Sequence, residues 1–431
     1  MSDPIFGLLG FAVSLGMIAL GLPIAVALGI VGIAGYAFLN GVSGALFVTA
    51  SAPFESLFPY SLSVIPLFLM MGVFSSRCGL STDLFLAAQT LVGRFRGGLA
   101  IATLTASAGF GAICGSSLAT VATIGRVALP EMRRAGYDDR LAAASVAAGG
   151  TLGVMIPPSI LLIIYGLLTE QSIGQLFSAA ILPGILGLVL YAGCVTVSVR
   201  LNPALAQPVA RGQQIDWRAL GRAWPVGAIF AVVIGGIQAG LFSPTEAAAV
   251  GAFGAVAMAG VRGSLDRDSV WEAMRETVTL TGMIALILVG AALFNYFIET
   301  TGLPQFLIAQ VEASGMPNVA TLLAIIVFYL VLGCFMDAMS MIMLTIPFVF
   351  PLVVSMGFDP IWFGILVVTV AELGLITPPV GMNLFVMQGV AKDLSAATII
   401  RGIGPFIAAD VVRLAVIILL PALTLWLPDR L

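Results

Sequence analysis

The chain has 431 residues, of which 60% are hydrophobic and 9% are charged, and its formal net charge is −3. This composition excludes a soluble globular domain, and the repeated apolar runs of membrane-spanning length predict an all-α polytopic membrane protein. The net charge does not settle the orientation, because the placement of Lys and Arg in short loops does so. Histidine is absent and the four cysteines have no metal-ligand spacing, so we interpret the cysteines as packing residues.

The first half of the chain, residues 1–200, is predicted to hold five spans, an amphipathic helix and a helical hairpin. Residues 1–3 lack a basic region, so the first apolar run is interpreted as a retained helix rather than a cleaved signal peptide. The predicted segments are spans at 5–20, 24–40 and 62–76, an amphipathic helix at 80–92, a hairpin at 99–132, a broken span at 141–168 and a span at 177–199.

The broken span contains the sequence GGTLGVMIPP, from Gly149 to Pro158. A proline inside a helix removes a hydrogen bond and clashes with the preceding turn, so two in succession leave carbonyl groups without helical partners. At membrane depth such carbonyls are tolerated where protein buries them or where they line a polar cavity. The stretch is therefore a candidate ion or substrate site.

A cytoplasmic linker at 201–223 leads to the second half, residues 224–431, where the same organisation is predicted. Its broken span carries the sequence GLITPP, from Gly374 to Pro379. The predicted segments are spans at 225–241, 245–261 and 278–298, an amphipathic helix at 303–311, a hairpin at 319–354, a broken span at 361–387 and a last span at 403–427. The total is about ten transmembrane helices, with two re-entrant helical hairpins and two broken helices.

An ungapped offset of 221 residues relates the two halves. Several Gly and Pro residues coincide at this one offset, which indicates two copies of one fold unit. Broken helices at corresponding positions of two halves are the sequence pattern of a transporter binding site. The aligned pairs are Pro23 with Pro244, Pro130 with Pro351, Gly136 with Gly357, Gly153 with Gly374, Pro157 with Pro378 and Pro158 with Pro379.

The two hairpins are predicted to be re-entrant. The turn of the first, between Ala108 and Ser117, is rich in Gly and Ser, and the turn of the second places Asp337 within an apolar run. A charge at membrane depth is costly and indicates function. Two full spans joined by a polar turn on the far side are the competing interpretation.

Basic residues predict the orientation of each half. Five arginines between residues 94 and 140 flank the first hairpin, so both of its flanks are predicted to be cytoplasmic. The loops that flank the second hairpin, at 314–318 and 355–360, contain no Lys or Arg and are predicted to lie on the opposite side. Both termini are then periplasmic, and the two halves form an inverted-topology repeat.

The oxygen atoms near the two breaks suit a hard monovalent cation such as Na⁺. Unwound backbone carbonyls and Ser or Thr hydroxyls supply neutral oxygens, and the N-terminal ends of half-helices suit an organic carboxylate. The first half offers Ser116, Ser117, Thr151 and the backbone from Gly153 to Ile156; the second offers Asp337, Ser340, Glu372, Thr377 and the backbone from Gly374 to Ile376.

Several of these residues have an equally good structural interpretation. Ser116, Ser117 and Thr151 could be small residues that allow close helix packing, whereas Asp337 is expected to act directly. Asn383 could ligate through its amide oxygen or bond a freed carbonyl. Glu372 is expected to need a partner to be buried, and the last span is predicted to hold an intrahelical pair between Asp410 and Arg413.

Four stretches carry a resemblance to a known family. They are GGTLGVMIPPSILLIIYG from Gly149, CGSSLATVATIGRVALPEM from Cys114, FSPTEAAAVGAF from Phe242 and ITPPVGMNLFV from Ile376. Together they resemble the large membrane subunit of tripartite ATP-independent periplasmic (TRAP) transporters. The resemblance covers essentially the whole chain, from Gly21 to the last span.

This resemblance implies a Na⁺-driven importer of a small organic anion in the bacterial inner membrane, working by an elevator mechanism. It also implies a small four-helix membrane subunit (Q type) and a periplasmic solute-binding protein (P type) as partners. No four-helix segment precedes Met1, so the small subunit is expected to be a separate chain. The alternative is a stand-alone Na⁺/dicarboxylate carrier of related architecture. No hydrolase or metalloprotease motif supports an intramembrane enzyme.

The resemblance also assigns ligands position by position. The first Na⁺ site comprises Gly115, Ser116, Ser117, Thr151, Gly153 and Pro157, and the second comprises Asp337, Ser340, Gly374, Thr377 and Pro379. Substrate would lie between the two hairpin tips, near Ser116, Thr120, Asp337, Asn383 and Arg126.

Three of these positions qualify the assignment. Arg126 lies nine residues beyond Ser117, about 13 Å along a helix, which is far for a short anion. Cys114 stands where the family usually has Ser, so a ligand there would be backbone. Thr120 stands where some members carry Asp, which favours a dicarboxylate or other small organic acid over a sialic acid.

Overall fold

The computed structural model describes residues 3–207 and 217–430, and the described residues form helices joined by short turns. Nine α-helices make up the first half. They are α1 (Asp3–Ala19), α2 (Ile24–Leu57), α3 (Val64–Arg77), α4 (Leu80–Val92), α5 (Gly98–Cys114), α6 (Ser117–Arg134), α7 (Asp139–Met155), α8 (Ile160–Thr169) and α9 (Ile173–Leu201).

Ten more α-helices follow the linker, of which residues 208–216 lie outside the described part of the chain. They are α10 (Trp217–Gln238), α11 (Pro244–Val261), α12 (Arg267–Thr300), α13 (Leu303–Ser314), α14 (Asn318–Gly333), α15 (Ala338–Ser355), α16 (Pro360–Ile376), α17 (Met382–Val390), α18 (Ala396–Leu419) and α19 (Ala422–Leu425).

The order and bounds of the helices repeat between the halves. A shift of 221 residues carries the bounds of α6, 117 and 134, onto those of α15, 338 and 355. The same shift carries α7 onto α16, since 139 becomes 360 and 155 becomes 376. The all-α fold, both helix-turn-helix hairpins and both broken helices are therefore as predicted, and the two copies share one internal plan.

By length and composition, eight of the described helical segments can cross a membrane, or nine when the α7–α8 pair, bent by 41°, is counted as one span. The prediction of about ten differs at three elements. The 17-residue α1 and the α16–α17 pair fall outside this set, and α15, which the sequence analysis assigned to a hairpin, falls within it.

The predicted end of the second span at residue 40 coincides with a break in α2. Gly41 takes the non-helical backbone values φ 80 and ψ 165, so α2 consists of two helices joined at a kink, and the second of them, which ends at Leu57, was not predicted. Two other predicted boundaries were wrong. Helix α12 begins at Arg267 rather than at 278, since a charged but helix-forming segment precedes its apolar part. The last span ends at Leu419, and Pro421 starts a separate turn.

Glycines allow close helix contact between the halves where α2 crosses α12. A Cβ atom at Gly32 would lie 2.5 Å from the backbone of Leu293, and one at Gly290 would lie 2.5 Å from the Ala25 carbonyl oxygen. Small residues permit this approach, and packing of this kind holds helices together where lipid removes the hydrophobic driving force. The α2–α12 crossing thus forms a tightly packed unit away from both breaks.

Candidate functional site

In each hairpin, the residue at the turn caps the N-terminus of the second helix. Gly115 ends α5 with φ 65, and Ser116 then caps α6 by accepting a hydrogen bond from the Ala119 amide at 3.3 Å. In the second hairpin Asp337 caps α15, accepting from the Ser340 amide at 3.1 Å and from the Ser340 hydroxyl. Since 116 plus 221 is 337, the two capping residues occupy equivalent positions. Asp337 is half-buried. Its role as a helix cap is one structural reason for a carboxylate at this position.

Each broken helix contains a short extended segment at its Pro-Pro pair. Ile156 ends α7 with ψ 122, and its equivalent Thr377 ends α16 with ψ 126. The bonds Pro157–Pro158 and Pro378–Pro379 are both cis. The second break is the more accessible, since Pro379 is exposed whereas Pro157 is buried.

The unwound part is shorter than the sequence analysis expected. Thr151 and Gly153 lie within α7, and Gly374 lies within α16. Both glycines are needed for close packing: a Cβ atom on Gly153 would lie 2.4 Å from the Cα atom of Gly111, and one on Gly374 would lie 2.6 Å from that of Gly333. The expectation that Gly153 and Gly374 are unwound was therefore wrong. These glycines allow each hairpin to pack closely against its broken helix, and only the residues around each Pro-Pro pair are unwound.

Asn383 joins the two halves of the site. It lies in the first turn of α17, and its Nδ2 atom donates to the Ser117 Oγ atom at 2.7 Å and to the Ala147 carbonyl oxygen at 3.0 Å. The Ser117 hydroxyl also lies 3.0 Å from the Asn383 Oδ1 atom. Both side chains are buried. The second broken helix is thus bonded to the tip of the first hairpin and to the first broken helix.

The remaining predicted substrate residues are placed less directly. Thr120 is fully buried and donates its hydroxyl to the Ser116 carbonyl oxygen at 2.8 Å, one turn back. Arg126 is exposed further along α6, and no ion pair joins it to any residue that the structure describes.

Two hydrogen bonds surround the second break. The Thr377 hydroxyl donates to the Leu373 carbonyl oxygen at 2.6 Å, and the Gly381 amide donates to the Cys334 carbonyl oxygen at 3.1 Å.

Sequence reasoning missed a buried polar network beside the first break. The Thr151 and Tyr191 hydroxyls lie 3.3 Å apart, and the Tyr191 hydroxyl donates to Asp410 Oδ2 at 2.5 Å. The predicted pair of Asp410 with Arg413 is confirmed at 3.2 Å, and Arg413 also donates to Glu372 at 3.0 Å. Thr151 and Glu372 are equivalent residues, since 372 minus 151 is 221; that coincidence was the available signal.

A cavity of about 710 Å³ opens elsewhere, between the end of α2, the α8–α9 turn, α11, α12 and α15. Its lining includes the carboxylates of Glu55 and Glu170 and, among the described residues, no Lys or Arg. None of the residues predicted to bind sodium or substrate lines it. The hairpin tips and breaks are therefore a separate feature from this cavity.

A family profile and individual relatives identify the same transporter family. A family profile described as "Tripartite ATP-independent periplasmic transporter, DctM component" matches residues 11–423. The C4-dicarboxylate TRAP transporter large permease protein DctM of Pseudomonas aeruginosa is 38% identical over 403 residues, covering 90% of this chain and 93% of the relative. The sialic acid TRAP transporter large permease protein SiaM of Vibrio cholerae is 30% identical over 416 residues, covering 96% of each.

Solved structures share the fold at low identity. The YdaH transporter of Alcanivorax borkumensis superimposes with a TM-score of 0.62 at 17% identity, covering 89% of each chain. MtrF of Neisseria gonorrhoeae, described as one of a class of antimetabolite efflux pumps, superimposes with a TM-score of 0.63 at 15% identity, covering 91% of this chain and 85% of its own. At these identities the similarity bears on the fold alone.

Proposed function

Because the chain belongs to the DctM-component family of TRAP transporters, whose members are transporter permease subunits and not enzymes, we propose that it is the large subunit of a Na⁺-coupled importer of a small organic anion. The observation that supports this most strongly is the pairing of two capped hairpin tips with two Pro-Pro breaks, joined across the halves by Asn383. Broken helices at equivalent positions are where secondary transporters bind ions and substrate.

The residues present have the chemistry of a sodium site. At the first break, the extended backbone at Ile156 frees carbonyl oxygens, which we assign to one site with the tip Gly115–Ser117, the Thr151 hydroxyl and Pro157. At the second break we assign Thr377 and Pro379 to a site with Asp337 and Ser340. Thr151 and Thr377 both lie within reach of a backbone carbonyl to which they donate, which leaves their oxygen lone pairs for a cation. Neutral oxygens of this kind suit Na⁺.

The two tips differ in charge, and this difference supports a location for the anion. Asp337 puts a carboxylate on the N-terminus of α15, whereas the neutral Ser116 caps α6. A carboxylate substrate is attracted to an N-terminal dipole and repelled by Asp337, so it binds at the α6 end, near Ser116, Thr120 and Asn383. Na⁺ bound beside Asp337 would lower that repulsion, which links substrate binding to the ion. Arg126 is exposed further along α6, and its contact with substrate stays a prediction.

The transport cycle we propose is of the elevator type. The hairpins and broken helices move as one part, against a scaffold that includes the α2–α12 crossing, and carry the site between the two faces of the inner membrane. The two halves are oppositely oriented, residues 1–200 and 224–431 forming the repeats. A cysteine at Gly136 should then be labelled only from the cytoplasm and one at Gly357 only from the periplasm; labelling of both from one side would refute the inversion.

The partners we propose are a small four-helix membrane subunit and a periplasmic solute-binding protein. One longer relative is compatible with a small-subunit partner. It is the isethionate TRAP transporter permease protein DctMQ of Oleidesulfovibrio alaskensis, 34% identical over 392 residues, which cover 90% of this chain but only 61% of that relative. A C4-dicarboxylate or another small carboxylic acid is the proposed cargo, since three C4-dicarboxylate permeases are among the relatives.

Uptake into proteoliposomes tests the proposal. The chain is reconstituted with its candidate small subunit, and binding proteins encoded nearby are loaded with a panel of organic acids, with and without a Na⁺ gradient. Uptake that requires both Na⁺ and binding protein is the expected result. Uptake that proceeds without a binding protein would instead indicate a stand-alone carrier, and uptake that ignores Na⁺ would refute the coupling ion.

A further inference from the structure

The buried network beside the first break contains a hydrogen-bond relay whose direction is determined by charge. Tyr191 on α9 is fully buried, and its hydroxyl has one proton to donate. Asp410 on α18, an acceptor when ionised, accepts a hydrogen bond from it at 2.5 Å. Arg413 holds Asp410 in place through the contact from Nε to Oδ1, at 3.2 Å, and a Cβ atom on Gly187 would lie 2.5 Å from the Arg413 Nη1 atom, so the guanidinium packs directly on the α9 backbone.

The hydrogen bond from Tyr191 to Asp410 determines how the Thr151 hydroxyl is bonded. Its Oγ1 atom lies 3.3 Å from the Tyr191 hydroxyl oxygen and 2.8 Å from the Ala148 carbonyl oxygen. Because the Tyr191 proton is committed to Asp410, Tyr191 cannot donate to Thr151. The Thr151 hydroxyl therefore gives its own proton away, to Ala148 or to Tyr191, and its lone pairs stay free.

We propose that Asp410 is a positioning residue: by accepting the hydrogen bond from Tyr191 it keeps that hydroxyl from donating to Thr151, and so leaves the lone pairs of the Thr151 oxygen free for a cation. This inference rests on the proposed function, because it assumes that Thr151 is a ligand of the first Na⁺ site. The equivalent residue of the other half, Glu372, is bound by Arg413 from the same network. The network therefore connects the residues that precede both breaks while setting the hydrogen-bond direction at only the first.

Asp410→Asn reverses the relay. Arg413 requires an acceptor, so the new amide turns its oxygen towards Arg413 and its NH₂ group towards Tyr191. The Tyr191 hydroxyl then receives a hydrogen bond and is released to donate to Thr151, which occupies a lone pair that the ion needs. The Na⁺ concentration for half-maximal uptake should rise about fivefold, the factor that corresponds to one neutral hydrogen bond.

Tyr191→Phe supplies the decisive comparison. It removes the relay, but Thr151 still donates to Ala148, so the Na⁺ dependence should stay close to that of the unaltered protein. In this background Asp410→Asn should have no further effect on the Na⁺ dependence. If Asp410 acts only by neutralising Arg413, the effect of Asp410→Asn would be the same with and without the Tyr191 hydroxyl, and that result would overturn the proposal.

The matched control is Tyr165→Phe, which deletes another buried tyrosine hydroxyl, one that donates to the Pro360 carbonyl oxygen at 2.7 Å, outside the network. Na⁺-dependent protection of the purified variants against thermal unfolding, with K⁺ as reference, reads the ion site without transport. Should Asp410→Asn fail to fold, Thr151→Val still decides: unchanged Na⁺ dependence in that variant refutes the relay. An unaltered protein that takes up substrate without Na⁺ would instead refute the proposed function itself.

Discussion

Asn383→Ala is the perturbation that the site geometry makes most specific. The change removes the two hydrogen bonds from the Asn383 Nδ2 atom, to Ser117 at 2.7 Å and to Ala147 at 3.0 Å. The Ala147 carbonyl keeps its own helical partner, so the buried Ser117 hydroxyl is the group left without its bond. An unsatisfied buried hydroxyl costs about 1–3 kcal/mol.

That free energy holds the second broken helix against the first hairpin tip, where substrate is proposed to bind. We therefore expect the substrate concentration for half-maximal uptake to rise about tenfold, since about 1.4 kcal/mol corresponds to a factor of ten. The assay is initial uptake by proteoliposomes over a range of loaded binding-protein concentrations. Ser117→Ala should produce most of the same loss, and the double variant should lose little more than Asn383→Ala alone.

Asn318→Ala is the matched control. Asn318 is also bonded through Nδ2 to a backbone carbonyl, that of Met356 at 2.9 Å, but it is exposed at the far end of the second hairpin. If Asn383→Ala and Asn318→Ala change uptake equally, the contact of Asn383 with Ser117 is only structural and the reasoning fails. The amount of folded protein in the membrane must be measured for each variant.

Three further outcomes are expected. Replacing Ser116 and Ser117 together with Ala should weaken the Na⁺ dependence of uptake by more than it lowers the protein level; an unchanged response to Na⁺ would remove the first tip from the ion site. Asp337→Asn keeps an effective helix cap but removes the charge, so transport should be lost or its Na⁺ dependence altered, and unaltered transport would leave Asp337 with a capping role alone. Gly153→Ala should prevent the first hairpin from packing against α7, which is measured as a loss of monodisperse protein. Gly193→Ala should be harmless, because no heavy atom lies within 4 Å of a Cβ atom at that position.

The helix plan could be predicted from local sequence because its signals are local. Pro-Pro pairs break helices wherever they occur, and the offset of 221 residues makes each half a check on the other, so the bounds of α15 and α16 follow from those of α6 and α7. Boundaries failed where a helix continues without apolar residues. The segment that begins α12 at Arg267 is polar, yet its residues favour helix, so a prediction from hydrophobicity alone placed the start of the span too late.

The site was harder to predict because its contacts join distant residues. Asn383 and Ser117 are 266 residues apart, and sequence reasoning left open whether the Asn383 amide ligates an ion or bonds a carbonyl; it bonds Ala147 and Ser117. Tyr191 gave no sign of its role, since a tyrosine in an apolar span is commonly a packing residue. Gly153 was expected to be unwound, but α7 stays helical as far as Met155; its place in the ion site stays a prediction.

The central claim is that Na⁺ and substrate cross the membrane together, in a step that the binding protein starts. It is tested most directly by following radioactive sodium and labelled substrate in the same proteoliposomes. The account predicts that sodium entry above background requires both substrate and its binding protein, and that substrate entry stops when Na⁺ is replaced by K⁺. Substrate entry at an undiminished rate in K⁺, or sodium entry that ignores the loaded binding protein, would contradict it.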